Sequence, residues 1–383
     1  MIKVKTIFFY IGFFLCFPFF FIPIGSSNIR FEDLAVLLLL MFVFINNKKL
    51  YSKSILFFSS IFVIFITYGL SLRPFYDFNY DNYPLTRMVG ITMYFFVFAF
   101  YMKQDGLKSL CQGAVTGSFL SAIVILSVLI IHLVNIGFTI KNMYVFKESL
   151  RGVSSFNPNS YGALMVFGSF AAYYLFSLTK QSLYRYAAFL FLSIPFILII
   201  RRDMVGILVA LMAVFFISRS KRTKIVLYPS LIFICFYLTF AVVNYLKGLD
   251  SYKFMAHRDT QYLAALNAIQ ENKMGYGLGS ETFIMKDSIN RESVTHNSFL
   301  SLSLEIGLFN ALIVIVMIGF TFFNLKDKWF KFYLIAFFVQ SLFGNGFYFY
   351  KYHFVFVASL LCITTISWRE NKDNEKNYAI FTK

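Results

Sequence analysis

His296 and Asn297 stand where a polar stretch meets an apolar one, in VTHNSFLSLSLEIGLFNALIV, with Glu305 and Gly307 following. A neutral imidazole, whose ordinary pKa is about 6.5, can take a proton from a hydroxyl near neutral pH. Asn297 has a side chain suited to capping the helix that follows. Glu305 falls well inside an otherwise apolar helix, where a carboxylate is costly unless it faces a cavity or a cation. An interfacial histidine and a carboxylate that packs helices together would account for the same residues. A second group, Arg201, Arg202 and Asp203 in IIRRDMVG, separates two apolar runs. A charge at bilayer depth costs about 2.5 to 3.5 kcal/mol, so the chain is expected to turn here. The next run, Met204 to Ile217, has 14 residues. That is about 21 Å of helix against a hydrocarbon core of about 30 Å. The arginine pair is therefore expected to sit recessed below the outer surface. Two planar guanidinium forks there suit a lipid phosphate or pyrophosphate; the alternative is that they snorkel to headgroups and cap two helices.

Other polar residues cluster near these two groups in the chain. GYGLGSETF, with Gly275, Gly277 and Gly279, has the sparse glycines of a tight loop that could bring its backbone near a ligand. No βαβ unit surrounds it, so it is not a dinucleotide fingerprint. Arg258, Lys273, Lys286 and Arg291 add cations to the same stretch, each of which could simply be solvated. SSFNPNSYGALMVF opens another apolar run. Its Pro158 and Asn159 can start that helix, while Asn157 and Asn159 could also hydrogen-bond sugar hydroxyls.

The elements that must hold these groups are membrane helices. Of 383 residues, 59% are hydrophobic and only 14% charged, with 53 Phe and 25 Tyr, against about 25% charged in soluble domains. An ordinary soluble globular protein is excluded. The apolar runs give twelve expected spans, the first at 6–24, the fifth at 110–135, the eighth and ninth at 204–217 and 225–246, the tenth at 298–323 and the last at 352–368. With both termini cytoplasmic, the loops on that side hold 20 of the 35 basic residues but only five of the 18 acidic ones, as the positive-inside rule requires. The formal charge of +17 is thereby accounted for without nucleic acid. Four isolated cysteines indicate neither a disulfide framework nor a zinc site. The basic amino-terminal start is read as a retained first helix. The fold class is thus an all-α polytopic membrane protein of about twelve transmembrane helices, one domain over 1–383. Its longest outer loop, 247–297, is expected to carry a short amphipathic helix over 259–272, with Tyr262, Leu263, Leu266 and Ile269 on one face.

These features, in this order, resemble the O-antigen polymerase and O-antigen ligase superfamily of integral membrane glycosyltransferases (Wzy-like and WaaL-like). The resemblance covers residues 151 to 310: NPN before a helix, an arginine at the outer end of a later span, an arginine with a short helix and Gly-x-Gly-x-Gly, then His-Asn-x9-Gly at 296–307. It implies a GT-C-like helical fold in the bacterial inner membrane, with the active site facing the periplasm. The implied reaction is metal-independent glycosyl transfer without a cofactor, from a glycan carried on undecaprenyl pyrophosphate. In that scheme Arg201, Arg202, Arg258 and Arg291 hold the pyrophosphate leaving group, and His296 activates or orients the attacking hydroxyl. Arg151, Asn157, Asn159, Gly277, Asn297 and Glu305 serve substrate binding or structure. Partners implied are the lipid-linked glycan, membrane lipid and a chain-length regulator protein. Arg151 and Gly162 have a spacing that resembles an outer-loop motif of polymerases, and the Phe-rich composition resembles theirs too. Asn310 departs from the residues common there and counts against the ligase. A lipid-linked oligosaccharide flippase would also have many spans, but transporters generally show repeated halves and a midplane site.

Overall fold

The structure is a computed structural model, which describes residues 4–19, 21–24, 27–45, 53–101, 104–137, 158–198, 258–289 and 294–324, with single positions between 331 and 341. The described residues form eleven α-helices: α1 Val4–Cys16, α2 Phe31–Ile45, α3 Lys53–Leu72, α4 Tyr83–Tyr101, α5 Gln104–Ile136, α6 Pro158–Thr179, α7 Ser182–Leu198, α8 Arg258–Glu271, α9 Glu281–Ile289, α10 Ser298–Ile306 and α11 Leu308–Asn324. Three segments are long and apolar enough to cross a membrane: Ile55–Phe75, Tyr83–Tyr101 and Asp105–Ile136, of 21, 19 and 32 residues. Expected spans eight, nine and twelve lie outside the described residues.

Small residues bring α1 against α5. A β-carbon on Gly12 would collide with the Leu110 carbonyl, and one on Gly113 or Gly117 with the carbonyls of Phe9 and Phe13. Helices in lipid gain little from hydrophobic exclusion, so close backbone approach at such seams supplies the packing. Around the seam, Phe8, Leu15, Phe95, Phe98, Leu110, Phe167 and Phe191 form a continuous buried core. Phe8 and Phe98 meet edge to face at 5.4 Å.

Two expectations need correction. The first expected span, 6–24, ends as a helix at Cys16, and a hairpin follows in which β1 Phe21–Ile24 pairs antiparallel with β2 Ser27–Arg30. Pro18 and Pro23 cannot donate to a continuing helix ladder, so the described part is helical with one two-stranded exception. The tenth span, 298–323, is two helices broken at Gly307, whose φ is +87°. The helix in the long loop is present as α8. Ala265, Ala268 and Ile269 of α8 are buried against Ile284, Met285 and Leu304, while Leu263 and Leu266 are exposed. Alanines let α9 and α10 approach more closely than leucines would.

Candidate functional site

The glycine loop and the histidine segment, separated in the chain, fold into one unit. After α8, Asn272 closes a turn: its side-chain amide donates to the Gly275 carbonyl at 2.7 Å and its oxygen accepts from Met274 N at 3.1 Å. The loop then runs along the end of α10. Tyr276 N donates to the Leu304 carbonyl at 2.7 Å, Gly277 N to the Glu305 carbonyl at 2.9 Å, and Leu278 N to the Gly69 carbonyl of α3 at 3.1 Å. Gly279 N donates to Glu305 Oε1 at 3.1 Å. Glu305 is fully buried. Its carboxylate accepts from a backbone amide of the glycine loop.

Positive φ is required along this loop. Gly277 has φ +100° and Gly279 φ +84°, a region that L side chains adopt only with strain. A β-carbon on Gly279 would also strike the Asp81 backbone carbonyl. The loop amides from 276 to 280 thus serve internal bonds, so Gly277 is placed as a structural residue rather than as a donor to a bound phosphate.

The loop between α3 and α4 completes the unit. Arg73 donates through Nε to the Leu278 carbonyl at 2.9 Å and through one Nη to Asn82 Oδ1 at 3.1 Å. Its guanidinium lies 4.8 Å from the centre of the Tyr80 ring. Tyr80 OH lies 3.1 Å from the carbonyls of both Arg73 and Tyr276. Phe78 stacks on Phe283 of α9 at 4.4 Å. An arginine directly after an apolar run and followed by four aromatics, RPFYDFNY, was the available signal. Its partner could not be found locally, because Leu278 lies 205 residues away.

His296 enters α10 between two fixed neighbours. Asn297 is the N-cap, its side chain accepting from Phe299 N at 3.0 Å and Leu300 N at 3.1 Å. On the other side, Thr295 N donates to Glu281 Oε1 at 2.7 Å, and Thr295 Oγ1 lies 2.8 Å from the same oxygen. Ser301 Oγ donates to that oxygen at 2.7 Å. His296 itself is half-buried with φ +54°. A non-glycine residue held in the left-handed region costs about 1–3 kcal/mol, and such strain gathers at functional sites.

Glu281 is the second residue that sequence reasoning passed over, although it stands in the quoted GYGLGSETF. Burial pushes its carboxyl above the ordinary carboxylate range, and the donors from Thr295 and Ser301 act in the opposite direction. The folded chain therefore binds a proton on Glu281 more tightly than the unfolded chain does. Its contribution to stability is present below the unfolded pKa and is lost as pH rises through the raised folded value.

Arg151, Asn157, Arg201, Arg202 and Arg291 lie outside the described residues. Arg258 opens α8 and Asn159 lies in the first turn of α6, with neither side chain described. Lys273 and Lys286 are exposed beside the unit. The site as described is thus a strained histidine at a helix entrance, braced by one buried carboxylate, with a second buried carboxylate tying that helix to a glycine loop. Such an arrangement can accept a proton from a bound hydroxyl. No family model, curated protein or solved structure matches the chain.

Proposed function

We propose that this chain is an O-antigen polymerase: an inner-membrane glycosyltransferase that joins repeat units carried on undecaprenyl pyrophosphate at the periplasmic face. The observation that carries the reading is His296, an imidazole kept in a strained backbone conformation by Thr295 and Asn297. Strain of that kind persists only where the surroundings over-determine it. The coupling of Gly277 and Gly279 to Glu305 supports it further, because the two segments that carry the family resemblance form one body.

In the proposed reaction His296 takes the proton of the attacking sugar hydroxyl as the new glycosidic bond forms. The bond from the donor's anomeric carbon to the pyrophosphate oxygen breaks, and the electron pair leaves with the pyrophosphate. Arg201, Arg202, Arg258 and Arg291 neutralise the charge that develops there, a role for which fixed guanidiniums are suited. Partners are the lipid-linked glycan, membrane lipid and a chain-length regulator protein.

Deletion of the gene followed by gel analysis of surface lipopolysaccharide tests this. A core bearing one repeat unit is expected, since attachment survives while extension stops. Bare core, with lipid-linked polymer accumulating, would make the chain the ligase instead. An unchanged ladder would remove it from the process.

The periplasmic placement has a separate check. Ser288 is exposed on α9, so Ser288→Cys in a cysteine-free background is expected to react with a membrane-impermeant maleimide in intact cells. Reaction only after the inner membrane is opened would reverse the orientation.

A further inference from the structure

We infer that Glu281 is a positioning residue for His296, acting through Thr295 to hold the imidazole where it meets the acceptor hydroxyl. This rests on the reading of His296 as the proton acceptor and goes beyond it by assigning the group that sets its orientation.

Three donors converge on one oxygen of Glu281: Thr295 N at 2.7 Å, Thr295 Oγ1 at 2.8 Å and Ser301 Oγ at 2.7 Å. Glu281 belongs to α9, Ser301 to α10, and Thr295 to the connection that leads directly into His296. The carboxylate therefore fixes the backbone before the histidine to the same helix whose N-cap fixes the backbone after it. Thr295 Oγ1 also accepts from Asn297 N at 3.3 Å and lies 3.0 Å from Ser301 Oγ, so both neighbours of His296 share one network. Glu281, Thr295 and Ser301 are all buried, with Thr295 and Ser301 fully so. None of the three is placed to touch a substrate.

A purely structural pairing of α9 with α10 has no need of a carboxylate. Ile284, Met285 and Leu304 already share one apolar cluster with the small residues of α8, and a buried carboxyl carries a desolvation cost that a neutral side chain avoids. What the carboxylate adds is an acceptor for several donors at once, aimed at the residue next to His296. Such a clamp holds the φ of +54° at His296 in place. Without it the backbone relaxes toward an ordinary region and the imidazole swings away.

The test uses the full-length protein in proteoliposomes, with the unpolymerised lipid-linked repeat unit from the deletion strain as substrate. Glu281→Leu is expected to lower kcat about 100-fold, the scale of a misplacement of about 1 Å, while KM stays near the wild-type value. Glu281→Gln keeps the accepting oxygen and is expected to recover most of the lost kcat. Should Glu281→Leu not reach the membrane, Thr295→Val removes the hydroxyl link alone and is expected to lower kcat without raising KM. Wild-type kcat in Glu281→Leu or, failing that, in Thr295→Val overturns the inference. So does a rise in KM parallel to the fall in kcat, which would mean general loosening, or a Glu281→Gln as impaired as Glu281→Leu. His296→Ala, run alongside, separates the two levels. If it is inactive while Glu281→Leu is normal, only the positioning role fails; if it is active, the reading of His296 itself fails.

Discussion

His296→Ala is expected to lower chain extension by about 100- to 10,000-fold, the range that a positioned general base contributes. The protein should still reach the membrane, because removing a left-handed imidazole deletes no part of the buried core. His296→Gly sharpens the point. Glycine adopts φ +54° without penalty, so this variant should be at least as stable as the native chain yet equally inactive. Stability and activity would then move in opposite directions at one position, which is the expected signature of strain retained for chemistry. If His296→Gly were active, the imidazole would have no part in the reaction.

The second large effect falls on the loop rather than on the chemistry. Gly279→Ala should destabilise the protein by about 1–3 kcal/mol from the left-handed backbone alone. The collision of the new β-carbon with the Asp81 backbone adds to that. The loop must shift, and with it go the bond from Gly279 N to Glu305 and the bond from Asp81 N to the Gly279 carbonyl. Gly90→Ala is the control: it lies within α4, and nothing stands within 4 Å of its added β-carbon. Thermal unfolding in detergent should show a clear fall for Gly279→Ala and no fall for Gly90→Ala, where alanine is the better helix former by about 1 kcal/mol. Equal behaviour of the two would contradict the loop geometry.

Local signals in the chain foretold what local physics decides. Asn297 was legible as a cap because its side chain needs only the next few amides. Helix α5 was legible because a long apolar run has few alternatives in a bilayer. The break at Gly307 was hidden, since the residues on both sides are apolar and only the fold reveals that Leu308 N turns to the Lys273 carbonyl. Glu305 was recognised as anomalous, but the Gly279 amide that donates to it lies 26 residues upstream. Arg73 and Glu281 were missed for the same reason: each is defined by partners that the chain brings together from far apart. On α8 the sequence marks Leu263 and Leu266, which are exposed, and gives no local sign that Ala265 and Ala268 pack toward α9 and α10.

The most direct measurement of the central claim is chain extension by the purified protein in liposomes. The substrate is a single lipid-linked repeat unit extracted from the deletion strain, and the products are separated by length. A ladder of lipid-linked polymer made by the native chain, and missing with His296→Ala, is the predicted result. A folded native chain that leaves the repeat unit unextended, or a His296→Ala protein that makes the same ladder, would contradict the account.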